Sequence, residues 1–501
     1  MKNYSLLLAL FLLLSACSNN TQNGSIPILS NTEMEEDIDF LYQTIIAVNP
    51  HLAIRQQATK TNLYEELDSL RRCSNTLKSF EDFYYLAARM LLLCQDQHIG
   101  LQSFYPEGIE NHNSYISAKA VAVSEACELR YDKYSVFDSE DIIYINGDYF
   151  FAENTYNTQS KEILLPVSAK LLKVNNIPID DYISKWNRKV DNSTRWDFEK
   201  QKYYTYRLYP PNITDLSKDF NITFQVDSVI RTVDMNILRF MKGWLCKDYF
   251  EPKVLYFQKT NILYIRLPDM NTEDINYYLE NIQQYKNQSI QKIIIDIRYN
   301  YGGNDEVWLA LLSAIIDKPI ICENKVYLKN TPLVIDYMNN IRKTKITHSQ
   351  IDTFNIGNND YIDISGNDTI VPLKESIQYT GKIYVLVNEK CFSSALAFTA
   401  ICNRTNKFIT VGQPSNYIGG RGISPFFFTL PHSKLIFTVI PMLDATDVES
   451  IGDYYDRFVQ VPVMLTINDY MFERSYEGER YSEEFLFNHD PVFQKVLEQK
   501  D

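Results

Sequence analysis

The spacing of apolar positions changes character twice along the chain. Between Asn31 and about Ser103 it is helical. "NTEMEEDIDFLYQTIIAV" opens acidic and carries apolar residues three and four apart, and "SFEDFYYLAARMLLLCQDQH" does the same, with Ser79 as N-cap and Glu81 and Asp82 in its first turn. From Pro106 to about Lys253 the runs shorten and alternate ("DIIYING", "AKLLKVNN", "FNITFQV"), which predicts strands joined by Asn, Asp and Gly turns. From Lys253 onward strands and helices take turns. "NILYIRLP", "IQKIIIDIR", "KIYVLVN" and "KFITVGQ" read as strands, and "IQKIIIDIR" is apolar on both faces, as in a covered parallel sheet. "TEDINYYLENIQQY", "NDEVWLALLSAII" and "SSALAFTAIC" read as helices, and "SPFFFTLPHSKLIFTVI" as a hairpin about Pro431, His432 and Ser433. This alternation predicts a right-handed crossover sheet whose ligands gather at the carboxyl ends of the strands.

The first residues form a different kind of segment. Lys2 gives a short basic start, and the apolar run Leu6 to Leu14 is too short to span a bilayer but has the length of a signal-peptide core. The "LSAC" that follows is similar to the bacterial lipobox, which implies a lipidated Cys17, and "SNNTQNGS" reads as a flexible tether. The expected organisation is a signal peptide at 1–16, a lipidated tether at 17–30, a helical domain at 31–105, a β-rich region at 106–255 and an α/β core at 256–501. The expected location is the bacterial cell envelope, on the periplasmic side of the outer membrane or at the cell surface.

Composition narrows the chemistry. A net charge of −14 argues against nucleic acid, whose phosphates want clustered Lys and Arg. Beyond Cys17, the cysteines at 73, 94, 127, 246, 322, 391 and 402 are scattered, odd in number and without CxxC spacing, so no zinc site or disulfide framework follows. No H-E-x-x-H or P-loop occurs, and Asn304-Asp305 after the paired glycines would repel a phosphate. The 501 residues include only 16 glycines, less than half the usual share of about 7%. Seven of the 16 (Gly302, Gly303, Gly412, Gly419, Gly420, Gly422 and Gly452) fall in segments expected near one sheet edge, which marks a candidate site.

Three features there carry chemistry. Gly302-Gly303 allow a tight turn with exposed N–H groups, as an oxyanion hole requires; the local alternative is a plain strand-to-helix loop. Ser393 or Ser394 lies where a strand turns into a helix, so a hydroxyl sits at the positive end of the helix dipole; the local alternative is an N-cap. A serine nucleophile needs a base. Among six histidines, His432 occupies the hairpin turn and reads as solvated, while His51, His112, His348 and His489 lie in polar, loop-like contexts. His98 alone follows a long apolar helix, in "LLLCQDQHIGLQ", where a ring can be held rigidly; the local alternative is a cation closing the helix dipole.

Together these segments resemble the C-terminal processing (tail-specific) peptidase family. "IIIDIRYNYGG" is similar to its D-x-R-x-N-x-G-G loop, "YVLVNEKCFSSALAFTA" to its nucleophile turn, "VGQPS" to its G-E-P-T strand end, "LLLCQDQHIGL" to its D-x-H element, "VESIGDYYD" to its E-x-x-G segment and "NHDPVFQKVLEQ" to its closing helix. The resemblance implies an α/β core of the crotonase-like (ClpP-like) β-α superhelix type. "AKLLKVNNIPIDDYIS" is faintly similar to a PDZ module. Ile418 stands where one branch of the family carries a catalytic lysine, so the likeness is to the Ser-His-Glu branch of the tricorn core protease and chlamydial protease-like factor type. Carried over by motif, Ser393 is the nucleophile, His98 the base and Glu449 its orienting carboxylate, with Ser394, Gly302 and Gly303 as oxyanion donors. The expectation is a lipid-anchored serine endopeptidase acting on polypeptides, held to a membrane through acylated Cys17, with no metal or cofactor. Cys391, Phe392 and Leu396 depart from the family pattern and motivate the alternative, a catalytically inactive, peptidase-like lipoprotein that captures polypeptide segments.

Overall fold

The computed structural model describes residues 26–102, 116–131, 142–191, 194–209, 219–235, 240–242, 251–346, 351–352, 361–415, 422–423, 425–455 and 458–499. The signal peptide, Cys17, His112, Cys246, His348, Ile418, Gly419 and Gly420 lie outside the described residues. No helix among the described residues is long and apolar enough to cross a membrane.

The N-terminal helices are α1 (Asn31–Val48), α2 (His51–Thr59), α3 (Leu63–Arg72) and α4 (Phe80–Leu92). Their starts are set by side-chain caps. The Ser30 hydroxyl and Glu33 carboxylate exchange bonds with each other's backbone N–H in a capping box, and the Ser79 hydroxyl accepts from Asp82 N–H at 3.1 Å. The apolar stripe of α1 (Met34, Ile38, Leu41, Ile45, Val48) does not close a core of its own. It shares one cluster with Phe426, Phe428, Phe437 and Val439 of the hairpin formed by Phe426–Thr429 and Ile436–Val439. The helical segment is thus docked on the α/β half through a common hydrophobic interior.

The middle region is mainly antiparallel sheet, in the order Val229–Met235, Phe220–Val226, Lys170–Val174, Asp148–Phe151, Ile142–Ile145. "AKLLKVNNIPIDDYIS" forms Lys170–Val174, a turn with left-handed Asn175 and Asn176, the short strand Ile177–Pro178 and the helix Ile179–Lys185. The region expected to be β-rich also holds the helix Ala118–Tyr131 at its front, in an alanine-containing stretch whose propensity favours helix.

The core sheet runs Lys253–Phe257, Ile262–Arg266, Lys292–Asp296, Ile383–Val387, Phe408–Gly412, Val461–Pro462, antiparallel in its first pair and parallel thereafter. Period-two geometry splits each strand between two interiors. Leu263, Ile265, Ile293, Ile295, Ile383 and Val385 face the helices Ile275–Gln283, Glu306–Ile315 and Ser394–Arg404. Ile262, Tyr264, Ile294, Tyr384 and Leu386 face the C-terminal helices through Leu486, Val492 and Phe493. Covering on both sides explains why these strands read as continuous apolar runs.

Candidate active site

Asp296 lies opposite Leu386 in the central parallel pair, so the loops leaving Lys292–Asp296 and Ile383–Val387 emerge side by side at the carboxyl ends of their strands. The second loop is pinned throughout. Asn388 Oδ1 accepts from the N–H of Tyr299 (3.0 Å) and Lys390 (3.2 Å), Phe392 N–H donates to the Asn300 carbonyl (3.0 Å), and the Ser415 hydroxyl donates to the Cys391 carbonyl (2.8 Å). This clamping holds Ser393 at φ 53°, ψ −124°, a region costly for a residue with a Cβ. Ser393 occupies the N-cap position of the helix Ser394–Arg404, yet its side chain makes no cap hydrogen bond. Its hydroxyl lies 3.1 Å from His98 Nε2 instead. Phe392, a departure from the family pattern, packs flat on the imidazole with ring centroids 4.5 Å apart.

His98 arrives from the other half of the molecule. Beyond α4 the chain turns through Gln95, whose φ is 51°, and the buried Asp96. Asp96 Oδ1 accepts from His98 N–H at 2.9 Å and lies 3.1 Å from His98 Nδ1. Burial works to raise the Asp96 pKa, but its hydrogen bonds to His98 and the nearby His98 and His51 rings outweigh that and hold it below the usual carboxylate value. An ionised Asp96 accepts only, so Nδ1 carries the ring proton and Nε2 presents a lone pair to the Ser393 hydroxyl. The Thr438 hydroxyl donates to the His98 carbonyl at 2.7 Å from the hairpin, and the strand Gly100–Gln102 then pairs with Ile436–Val439.

The paired glycines are required where they stand. Gly302 has φ 95°, and a Cβ on it would lie 2.6 Å from the Cβ of Ser393; on Gly303, at φ 136°, it would lie 2.4 Å from the Met270 carbonyl oxygen. Gly302 lies against the N–H of Ser394, but its own N–H donates to Asn300 Oδ1 at 2.7 Å and is not free for an oxyanion. The N–H groups of Gly303 and Ser394 donate to no protein acceptor among the described residues. Of the three expected donors, two remain. The Ser394 hydroxyl is occupied by the Asp305 carboxylate, which also accepts from Trp308 Nε1 at 3.0 Å.

Besides Gly302, two expectations do not match the geometry. Glu449 is not beside His98: its side chain is 75% exposed and pairs at 3.1 Å with Arg404, at the far end of the helix that Ser393 starts, about 15 Å along the axis. Asp96 occupies the place at Nδ1. His51 is not in a polar loop either; it opens α2 fully buried, with Nδ1 on the Tyr454 hydroxyl and Nε2 3.2 Å from the Met442 carbonyl. The signal for Asp96 was present in "DQH", since a carboxylate two residues before a histidine reaches both its backbone and its ring in an Asx-type turn. His432 lies in its hairpin turn as expected, part-exposed and 2.6 Å from Glu36. No group of three or more His, Cys, Asp or Glu side chains among the described residues forms a metal cluster.

Residues 261–449 match the model of peptidase family S41. Among solved structures, mature CPAF is similar at 14% identity, over 94% of this chain and 99% of its own, with a TM-score of 0.56. Mature CPAF complexed with lactacystin is similar over the same shares, at the same identity, with a TM-score of 0.55. At that identity the likeness is one of fold. No curated protein has a significantly similar sequence.

Proposed function

We propose that this chain, a serine peptidase whose residues 261–449 match the model of peptidase family S41, cleaves polypeptides with Ser393 as nucleophile, His98 as general base and Asp96 as the carboxylate that orients it. One observation carries the reading: the Asp96–His98–Ser393 series, with 3.1 Å at each of its two side-chain contacts. In this mechanism His98 Nε2 takes the Ser393 proton as Oγ attacks the scissile carbonyl. Asp96 stabilises the imidazolium and fixes its tautomer, and the N–H groups of Ser394 and Gly303 receive the developing oxyanion. His98 then returns the proton to the leaving amine, and water repeats the cycle on the acyl-enzyme.

The same reading takes the core as a crotonase-like β-α superhelix and the middle region as a PDZ-like module. It places the protein on a bacterial envelope membrane through an acylated Cys17, where its substrates would be extracytoplasmic. Support for the anchor is the "LSAC" segment alone.

The test is incubation of the purified protein with dye-labelled casein and with a fluorophosphonate probe, beside Ser393→Ala. Hydrolysis and labelling by the wild type, both lost in the variant, are expected. Equal turnover by the two proteins would remove Ser393 from the mechanism. Peptide binding without any labelling would favour the inactive, segment-capturing alternative.

A further inference from the structure

Behind the Asp96 turn lies a polar interior that the mechanism above does not use. Its centre is Arg55 of α2, 1% exposed, whose Nη2 donates to the carbonyl of Gln95. Arg55 Nε and Nη1, Gln95 Nε2, the second Asp96 oxygen and the Tyr455 hydroxyl are all buried and have no hydrogen-bond partner among the described residues. A buried guanidinium without a fully satisfied set of acceptors is costly. Aliphatic packing would fill the same volume at less cost, so the charge itself calls for a role.

Its position gives one. Gln95 is a non-glycine residue in the left-handed region, which the turn must sustain against local preference. Among the described residues the one bond that the Arg55 guanidinium makes falls on the carbonyl of this residue, and the peptide that carries that carbonyl leads directly into Asp96. We propose that Arg55 is a positioning residue for the base: through its bond to the Gln95 carbonyl it holds the Gln95–Asp96 turn, and with it the Asp96 carboxylate, in place against His98. This inference rests on the reading of Asp96, His98 and Ser393 as the reacting set.

The groups around this turn are Cys94 on the same turn, His51 and Arg55 on α2, Ser393 and Phe392 on the nucleophile turn, Thr438 on the hairpin, and Tyr454 and Tyr455 behind α2. Burial pushes the Cys94 thiol up to about 12 and the Tyr455 hydroxyl well above its ordinary value, so both stay neutral below pH 9. All of them but Arg55 are unchanged in the variants below.

The experiment follows the rate of fluorophosphonate labelling of Ser393 from pH 5 to 9 in the full chain, for wild type, Arg55→Gln and Arg55→Lys. Loss of the charged donor frees the Gln95–Asp96 turn and misaligns Asp96 on His98, so R55Q should label about tenfold more slowly at its plateau. R55K, which keeps a charged donor but lacks the fork, should recover part of the rate. A folded R55Q with the wild-type plateau would overturn the proposal. Should R55Q fail to fold, as judged by its melting curve, R55K decides: a plateau several-fold below wild type supports the proposal, and a wild-type plateau overturns it. A wild-type protein that takes no label at all sinks the hydrolase reading itself, whereas labelled wild type with an unaltered R55Q sinks only this inference.

Discussion

The nucleophile turn and the base turn meet at one hydrogen bond, and both strain a non-glycine residue into the left-handed region: Ser393 at φ 53° and Gln95 at φ 51°. They are supported in different ways. Most of the clamps on the nucleophile turn come from the α/β core itself, through Asn300, Asn388 and Ser415, with one from the middle region, where Arg195 donates to the Glu389 carbonyl at 2.8 Å. The base turn is held from elements far away in sequence, by Arg55 on the Gln95 carbonyl and Thr438 on the His98 carbonyl. The core therefore supplies most of the support for its serine and oxyanion donors, while the base is delivered by a docked helical segment. Activity on this view depends on docking as much as on the reacting groups, and docking can be weakened without touching them.

The largest expected effect separates the two carboxylates that could orient His98. Asp96→Asn replaces an acceptor-only carboxylate with an uncharged amide that can donate to Nδ1 and favour the wrong ring tautomer, and kcat/KM on dye-labelled casein should fall by about 10²–10⁴. Glu449→Gln alters a mostly exposed side chain paired with Arg404 and should leave kcat/KM within about twofold of wild type. The reverse order of effects would return Glu449 to the site and make the Asp96 contact incidental.

This contrast also explains what could be read from the sequence. The core was legible strand by strand, because period-two apolar runs such as Ile293 to Ile297 and Tyr384 to Val387 bury both faces and leave little ambiguity. Ser393 and the glycine pair were legible as candidates for a related reason, since a strand end, a tight turn and a helix start are local events. The partner of the His98 ring was harder to read. Glu449 was carried over by motif, and nothing local in "VESIGDYYD" shows that its carboxylate turns outward to Arg404. The roles of Arg55, Thr438 and the buried His51 depend on contacts across long sequence separations, which periodicity cannot reveal. The helix Ala118–Tyr131 lies in a region read as strands from its other segments, and its own alanine-rich stretch was not weighed.

A smaller effect tests the docking side alone. The Thr438 hydroxyl donates to the His98 carbonyl and accepts from the N–H of Gly100 at 3.2 Å and from Gln102 Nε2 at 3.1 Å. Thr438→Val keeps the shape and strand propensity but removes all three bonds. It should lower kcat about three- to tenfold, on the order of 1 kcal/mol, with KM little changed. A rise in KM at constant kcat would place Thr438 in substrate binding instead of in support of the base.

The last effect bears on stability instead of rate and concerns the joint between the two halves. Lys329, at the end of the core strand Val326–Lys329, donates from Nζ to the Ile46 carbonyl near the end of α1 at 2.6 Å, and Thr331 donates to the Ala47 carbonyl beside it. Burial brings the Lys329 pKa down to about 8. Between that value and the ordinary lysine pKa of about 10.4, the unfolded chain binds a proton that the native chain has released. Stability therefore gains a rising contribution with pH across this window. Below about pH 8 both states are protonated and the contribution is flat at its least favourable level, because the native state then carries a buried charge. Lys329→Met removes this one titration while leaving the tyrosines and cysteines that share the window. The difference in urea-unfolding free energy between wild type and K329M should accordingly shift in favour of wild type by about 1–3 kcal/mol from pH 7.5 to 10.5. A constant difference over that range would mean that Lys329 reaches water in the native state, and that this joint is looser than its 2.6 Å bond implies.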